Sequence, residues 1–147
     1  MSILVIFLAI TMRAFCPEYR TLIIIKSESI WQPTIKDVTD LLKKHKVRYS
    51  GIVLSQAILE SGYLRSDILK ANKNLFGMRY APTRKTTAIG DQFGCAVYSS
   101  IEESVKDYKI WQELYFRSGD YYAFLKRIGY AEDGKYIEKL KQLLNKY

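Results

Sequence analysis

A chain of 147 residues with 48% hydrophobic and 14% aromatic content has enough apolar material for one compact domain, which excludes a disordered chain. Its 23 Lys and Arg against 15 Asp and Glu leave a net charge of +8, favouring a polyanionic neighbour such as nucleic acid, an acidic membrane surface or an anionic cell envelope. No run of five consecutive basic residues marks a nucleic-acid patch, so the charge selects a neighbourhood rather than a reaction.

The N-terminus opens with "SILVIFLAITM", which has the length of a signal-peptide apolar core and falls short of the roughly 20 apolar residues of a membrane-spanning helix. Residues 1–16 therefore read as a leader segment and the protein as exported. The signal is atypical, because no Lys or Arg precedes the apolar run and no small-x-small cleavage site follows it. The competing reading is a buried N-terminal strand or helix, since a short apolar run is ambiguous by periodicity alone. Cys16 and Cys95 lack metal-ligand spacing, and removal of a leader near Cys16 leaves Cys95 unpaired.

From residue 30 to the C-terminus the chain reads as one domain of helices interrupted once by a hairpin. "PTIKDVTDLLKKHK" spaces Ile35, Val38, Leu41 and Leu42 helically, with Pro33 suited to the first turn and the lysines to the C-terminal end. "YSGIVLSQAILESG" predicts a second helix with Ser50 as N-cap and Gly62 as stop, and its apolar residues on nearly every side predict burial. Between residues 75 and 98, Gly77, Pro82, Gly90 and Gly94 punctuate β-prone runs, predicting a hairpin. Helical spacing returns through Ile101, Val105, Tyr108 and Trp111, with Ser100 and Glu103 fitting a capping box. "DYYAFLKRI", capped by Asp120 and stopped by Gly129, and "KYIEKLKQLLNKY", with a stripe of Tyr136, Ile137, Leu140, Leu143 and Leu144, predict two final helices.

The runs "SQAILESGY", "NLFGMRY", "VYSSIEESVKDY" and "GYAEDGKYIEKL" occur in the order of the glucosaminidase family of peptidoglycan hydrolases, glycoside hydrolase family 73, and the chain resembles that family over about two-thirds of its length. The resemblance implies a mainly α, lysozyme-like α+β fold with a β-hairpin lobe beside a glycan-binding groove. It also implies hydrolysis of β-1,4 bonds between N-acetylglucosamine and N-acetylmuramic acid.

The family's general acid carries over onto Glu60. Elementary electrostatics agrees: a carboxyl in the last turn of a helix meets the negative dipole end, and apolar neighbours deprive it of solvation. Both favour the protonated acid that glycosidic cleavage needs. The bland reading is a glutamate that hydrogen-bonds a neighbouring loop. A second carboxylate, about 6.5–9.5 Å away for inversion or about 5 Å for retention, is harder to place. The hairpin has no glutamate, and Asp91 in "IGDQFG" is its only acidic residue, in a context that also suits a plain turn. The substrate's own 2-acetamido group is the other route. The resemblance places Tyr130 near the acid as an orienting hydroxyl and implies a groove wall from Asn74, Phe76 and Gly77, with Tyr98 also at a motif position. Phe76 and Gly77 suit either a sugar face or the start of the hairpin, and Tyr108 suits the core.

No metal or cofactor is implied; His45, the one histidine, sits in a basic helix end. The expected partner is the peptidoglycan glycan strand, met by a monomer without a stable membrane span, and not nucleic acid. The expected activity is endo-β-N-acetylglucosaminidase, with muramidase activity or a non-catalytic peptidoglycan-binding module as the rival readings.

Overall fold

The computed structural model describes residues 31–147, so the leader reading and Cys16 lie outside the described residues. The elements are α1 (Ile35–Lys44), α2 (Ser50–Glu60), α3 (Asp67–Asn72), β1 (Gly90–Gln92), β2 (Cys95–Val97), α4 (Ile101–Tyr115), α5 (Tyr121–Arg127) and α6 (Tyr136–Lys146). This is the mainly helical architecture with one small hairpin that the sequence predicts. Among the described residues no helix is long and apolar enough to cross a membrane.

Helix α1 starts at a reciprocal capping box, in which the Asp37 amide donates to Thr34 Oγ1 at 3.2 Å and the Thr34 amide to Asp37 Oδ2 at 2.8 Å. Pro33 thus precedes the cap instead of filling the first turn. The predicted box at Ser100 forms only by half. Ser100 Oγ accepts the Glu103 amide at 3.2 Å, while the Glu103 carboxylate takes Lys106 Nζ at 2.7 Å.

Helix α2 is buried from Val53 through Ile58 and lies between α1 and α6. Its apolar residues face neighbours on several sides, as expected of a helix with no polar stripe. A Cβ on Gly51 would sit 2.8 Å from Leu144 Cδ1, so this glycine lets α6 approach closely. Leu144 itself is 39% exposed, which trims the predicted α6 stripe to Tyr136, Leu140 and Leu143 in the core. The N-cap of α2 is Tyr49, in the left-handed region at φ 56°, rather than Ser50. Its hydroxyl donates to the Gly119 carbonyl at 2.9 Å and its ring stacks on Tyr121 with centroids 5.0 Å apart, so tertiary contacts hold a conformation its side chain does not favour.

The helix ends as predicted. Gly62 adopts φ 57°, the Gly62 amide donates to the Leu59 carbonyl at 3.3 Å, and the Tyr63 amide to the Ile58 carbonyl at 2.7 Å, a Schellman stop. Helix α3, six residues capped by Ser66, was not predicted. The hairpin is antiparallel with Asp91 opposite Ala96, and Phe93 and Gly94 both have positive φ, as a two-residue type I′ turn requires. The Ala96 amide donates to the Met78 carbonyl and the Tyr98 amide to the Asn72 carbonyl, tying β2 and the residue after it to Met78 and the end of α3. Cys95 is disulfide-bonded.

Helices α4 and α5 close the core through a contiguous aromatic cluster. Trp111 packs against Phe124 and Tyr130, Phe116 packs edge-on to Tyr121, and Tyr121 stacks on Phe124. Helix α5 also ends in a Schellman stop, with Gly129 at φ 61° and the Tyr130 amide donating to the Leu125 carbonyl at 3.0 Å.

Candidate active site

Glu60 is the last residue of α2, partly open to solvent but with its carboxyl in dense protein surroundings. Burial pushes this carboxyl up to about 7, and a hydrogen bond from the Tyr136 hydroxyl acts in the opposite direction. The acid is therefore half-protonated near neutral pH. The chain beyond it is unusual: Gly62, Tyr63 and Leu64 hold φ of 57°, 57° and 64° in succession. Two of these are non-glycine residues in a sparsely populated region, held by the burial of Leu64 and by its amide donating to Ser61 Oγ at 3.0 Å. The turn ends the helix abruptly at the carboxyl.

Tyr136 comes from the first turn of α6, the helix packed along α2. Its oxygen accepts Gln56 Nε2 at 3.2 Å, and Gln56 Oε1 accepts the Tyr108 hydroxyl at 2.6 Å. Gln56 and Tyr108 are fully buried, so these bonds satisfy groups that water cannot reach. Sequence reading missed Tyr136 as a partner of the acid because it counted this residue only as part of an apolar stripe. The available signal was its polar tip within an otherwise apolar stripe.

Tyr130 lies close enough for its charge state to couple to that of Glu60, and its ring stacks on Tyr136 with centroids 5.9 Å apart. Its hydroxyl, however, donates to the Phe76 carbonyl at 3.2 Å, and the residue is 1% exposed. The hydrogen bond that lowers the Glu60 carboxyl comes from Tyr136. The Phe76 ring is fully buried, 4.2 Å from that of Tyr108, so of its two readings the start of the hairpin fits and an open sugar face does not.

Asn74 is likewise internal. Its Oδ1 accepts the Phe76 and Met78 amides and its Nδ2 donates to the Met78 and Ala96 carbonyls, a full set of bonds that locks the 74–78 turn onto β2. Gly77 supplies φ 62° within that turn. Tyr98 is buried and donates to Asp107 Oδ2 at 2.8 Å, while Arg84 grips both oxygens of Asp107 at 2.7 and 2.9 Å. Side chains of Asn74, Phe76 and Tyr98 thus shape the body beneath the hairpin and are not open to a ligand. Asp91 is exposed on β1, and its Oδ1 accepts the Gly94 amide at 3.3 Å, an ordinary turn contact. Among the described residues no group of three or more His, Cys, Asp and Glu could hold a metal ion. His45 Nε2 lies 2.7 Å from Glu102 Oε1, joining the end of α1 to the start of α4.

What the arrangement can do chemically is keep one carboxyl partly protonated near neutral pH at the end of a helix, beside the phenol of Tyr136. Comparison with known proteins bears on this. Residues 35–147 match the model of the glucosaminidase family, described as mannosyl-glycoprotein endo-beta-N-acetylglucosaminidase. The chain is 30% identical over 116 aligned positions to Protein bax of Escherichia coli K12, covering 65% of this chain and 42% of that protein's length. Among solved structures it resembles the catalytic domain of the autolysin Auto of Listeria monocytogenes, with a TM-score of 0.53 and 29% identity over 77% of this chain and 79% of that one. It also shares its fold with a chain of a type VI secretion effector–immunity complex from Pseudomonas protegens, at a TM-score of 0.54, 19% identity and coverage of 74% and 79%.

Proposed function

The chain belongs to the glucosaminidase family, and from that membership we propose that it is a peptidoglycan hydrolase, an endo-β-N-acetylglucosaminidase with Glu60 as its general acid. The observation that carries this reading is the Glu60 carboxyl itself, raised to about 7 by burial at the end of α2. A glycosidase acid must be protonated before the bond breaks and must give up that proton readily as it breaks, which a pKa near the working pH provides.

In the first step the Glu60 proton passes to the glycosidic oxygen as the bond from that oxygen to the anomeric carbon breaks. With Asp91 read as a turn residue of the hairpin, the substrate's own 2-acetamido carbonyl oxygen is the group that bonds to the anomeric carbon. Water then attacks the anomeric carbon and opens the resulting oxazolinium ring, giving one proton to the Glu60 carboxylate, which restores the acid. The net charge of +8 suits a protein working at an anionic envelope after export.

The test compares wild type with Glu60→Gln on purified peptidoglycan, reading release of reducing ends. Loss of a general acid is expected to lower hydrolysis by about 10²–10⁴-fold, with the fold kept. Hydrolysis at the wild-type rate by a folded Glu60→Gln protein would remove Glu60 from the mechanism. Mass spectrometry of the products checks the bond: a new reducing end on N-acetylglucosamine fits this reading, and one on N-acetylmuramic acid fits a muramidase.

A further inference from the structure

Behind Glu60 runs a buried chain of hydrogen-bonded polar side chains. At its far end Gln112 Oε1 accepts the Arg48 amide at 3.1 Å, and Gln112 Nε2 donates to the Arg48 carbonyl at 2.9 Å. A peptide N–H only donates and a peptide oxygen only accepts, so this pairing fixes which way the Gln112 amide points. Gln112 also hydrogen-bonds the Tyr121 hydroxyl. Tyr121 and Tyr108 face each other with oxygens 2.7 Å apart. Tyr108 must give its single hydrogen to Gln56 Oε1 at 2.6 Å, because that oxygen has none to give. Tyr121 is therefore the donor to Tyr108. Gln56 Nε2 then donates to Tyr136 at 3.2 Å, which leaves the one hydrogen of Tyr136 for Glu60.

We propose that Gln56 is a positioning residue for the acid: with its oxygen taken by Tyr108 it presents its amide hydrogen to Tyr136, which leaves Tyr136 to donate to the Glu60 carboxyl and the acid's proton on the opposite oxygen, available to the substrate. With the Gln56 amide turned over, its oxygen would face Tyr136 and take that hydroxyl's hydrogen. The Glu60 proton would then point at the freed phenol oxygen instead of the leaving group. The inference rests on Glu60 being the acid. The titratable groups whose charge couples to Glu60 are Tyr136 on α6, Tyr130 between α5 and α6, and Tyr108 on α4. Burial raises all three hydroxyls well above their ordinary value, so none ionises near neutral pH.

The experiment measures kcat/KM on purified peptidoglycan across pH for wild type, Tyr136→Phe, Gln56→Leu and their double variant, with Glu60→Gln as control and thermal unfolding to confirm folding. Deleting a donor that favours the carboxylate raises the pKa of the acid, so the alkaline limb moves up, by about one pH unit for Tyr136→Phe. Gln56→Leu is expected to move the limb in the same direction by less, and to add nothing in the Tyr136→Phe background because it acts through that hydroxyl. If Gln56→Leu does not fold, Tyr108→Phe carries the same prediction, since it frees the Gln56 amide to turn over.

An unmoved alkaline limb in the folded Gln56 or Tyr108 variant, or a further shift in the double variant, overturns the proposal. These outcomes are separable from failure of the underlying reading. Activity retained by Glu60→Gln sinks the general-acid assignment, whereas an inactive Glu60→Gln beside an unmoved Gln56→Leu limb sinks only the positioning role.

Discussion

Glu60 and Asp107 are two carboxyls withdrawn from water in one small domain, and their surroundings drive them to opposite charge states. Burial pushes Asp107 up, but Arg84, Tyr98 and Thr86 together outweigh it and hold the group below its ordinary value. Burial pushes Glu60 up too, and one phenol from Tyr136 is too weak a counterweight, leaving the group at about 7. Desolvation is common to both sites, and the guanidinium makes the difference. Asp107 is consequently favoured as an anion that pins Arg84 and Tyr98 to α4, a structural task. Glu60 can exchange a proton near neutral pH, as acid chemistry requires.

Breaking the Asp107 lock should give the largest change in stability. Arg84→Met removes the cation and leaves a carboxylate in a site where its side chain is fully buried. Loss of one partner of such a pair costs about 3–5 kcal/mol, read as a lower urea midpoint with the slope unchanged. A loss under about 1 kcal/mol, the level of an exposed pair, would mean that Arg84 and Asp107 do not form a buried unit in solution.

The same contrast predicts the pH dependence of stability. The Glu60 carboxyl has a folded pKa near 7 against an ordinary value of 4.5, so across that interval the folded state binds more protons than the unfolded one. Its contribution is fully present below about 4.5, is lost as pH rises through 7, and stays constant above that. The total is on the order of 3 kcal/mol. Glu60→Gln should abolish this component and leave the protein more stable than wild type at pH 8, measured by urea unfolding across pH. Asp107 works in the reverse sense. Its lowered pKa gives stability that is present above the ordinary carboxyl range and lost in acid. A wild-type curve that rises between pH 5 and 7 would contradict the assignment for Glu60.

The sequence made some of this difference visible and concealed the rest, for physical reasons. Helices α1, α2, α4, α5 and α6 announce themselves through periodic apolar residues and through stops at Gly62 and Gly129, because these are local signals. Helix α3 is too short for periodicity, and only Ser66 ahead of Asp67 hints at it. The left-handed cap at Tyr49 has no local cause, since contacts with Tyr121 and Gly119, about seventy positions away, hold it. The motif around residues 129–140 contains two tyrosines, and spacing cannot tell which one reaches the acid. Tyr130 follows a helix stop and turns its hydroxyl to the Phe76 carbonyl, whereas Tyr136 sits on the first turn of the helix that packs along α2. Asn74, Phe76 and Tyr98 stand out as motif positions, but only burial shows that their side chains brace the hairpin from beneath.

The smallest effect concerns how the two regions hold their backbones. Asp107 sits mid-helix in α4, where the backbone needs no special residue, whereas Glu60 precedes three successive left-handed residues. A Cβ on Gly62 would meet nothing closer than 3.7 Å, so Gly62→Ala adds no clash and its cost is the left-handed strain alone, about 1 kcal/mol. Thermal unfolding should fall by that amount, well short of Arg84→Met, and the alkaline limb of hydrolysis should stay in place because Tyr136 and Gln56 are untouched. A loss comparable to that of Arg84→Met would show that the turn cannot absorb even one methyl without unseating Leu64 from the core, making the end of α2 as rigid a lock as the Arg84 pair. An alkaline limb displaced with little loss of stability would instead show that the turn, as well as the hydroxyl of Tyr136, sets the acidity of Glu60.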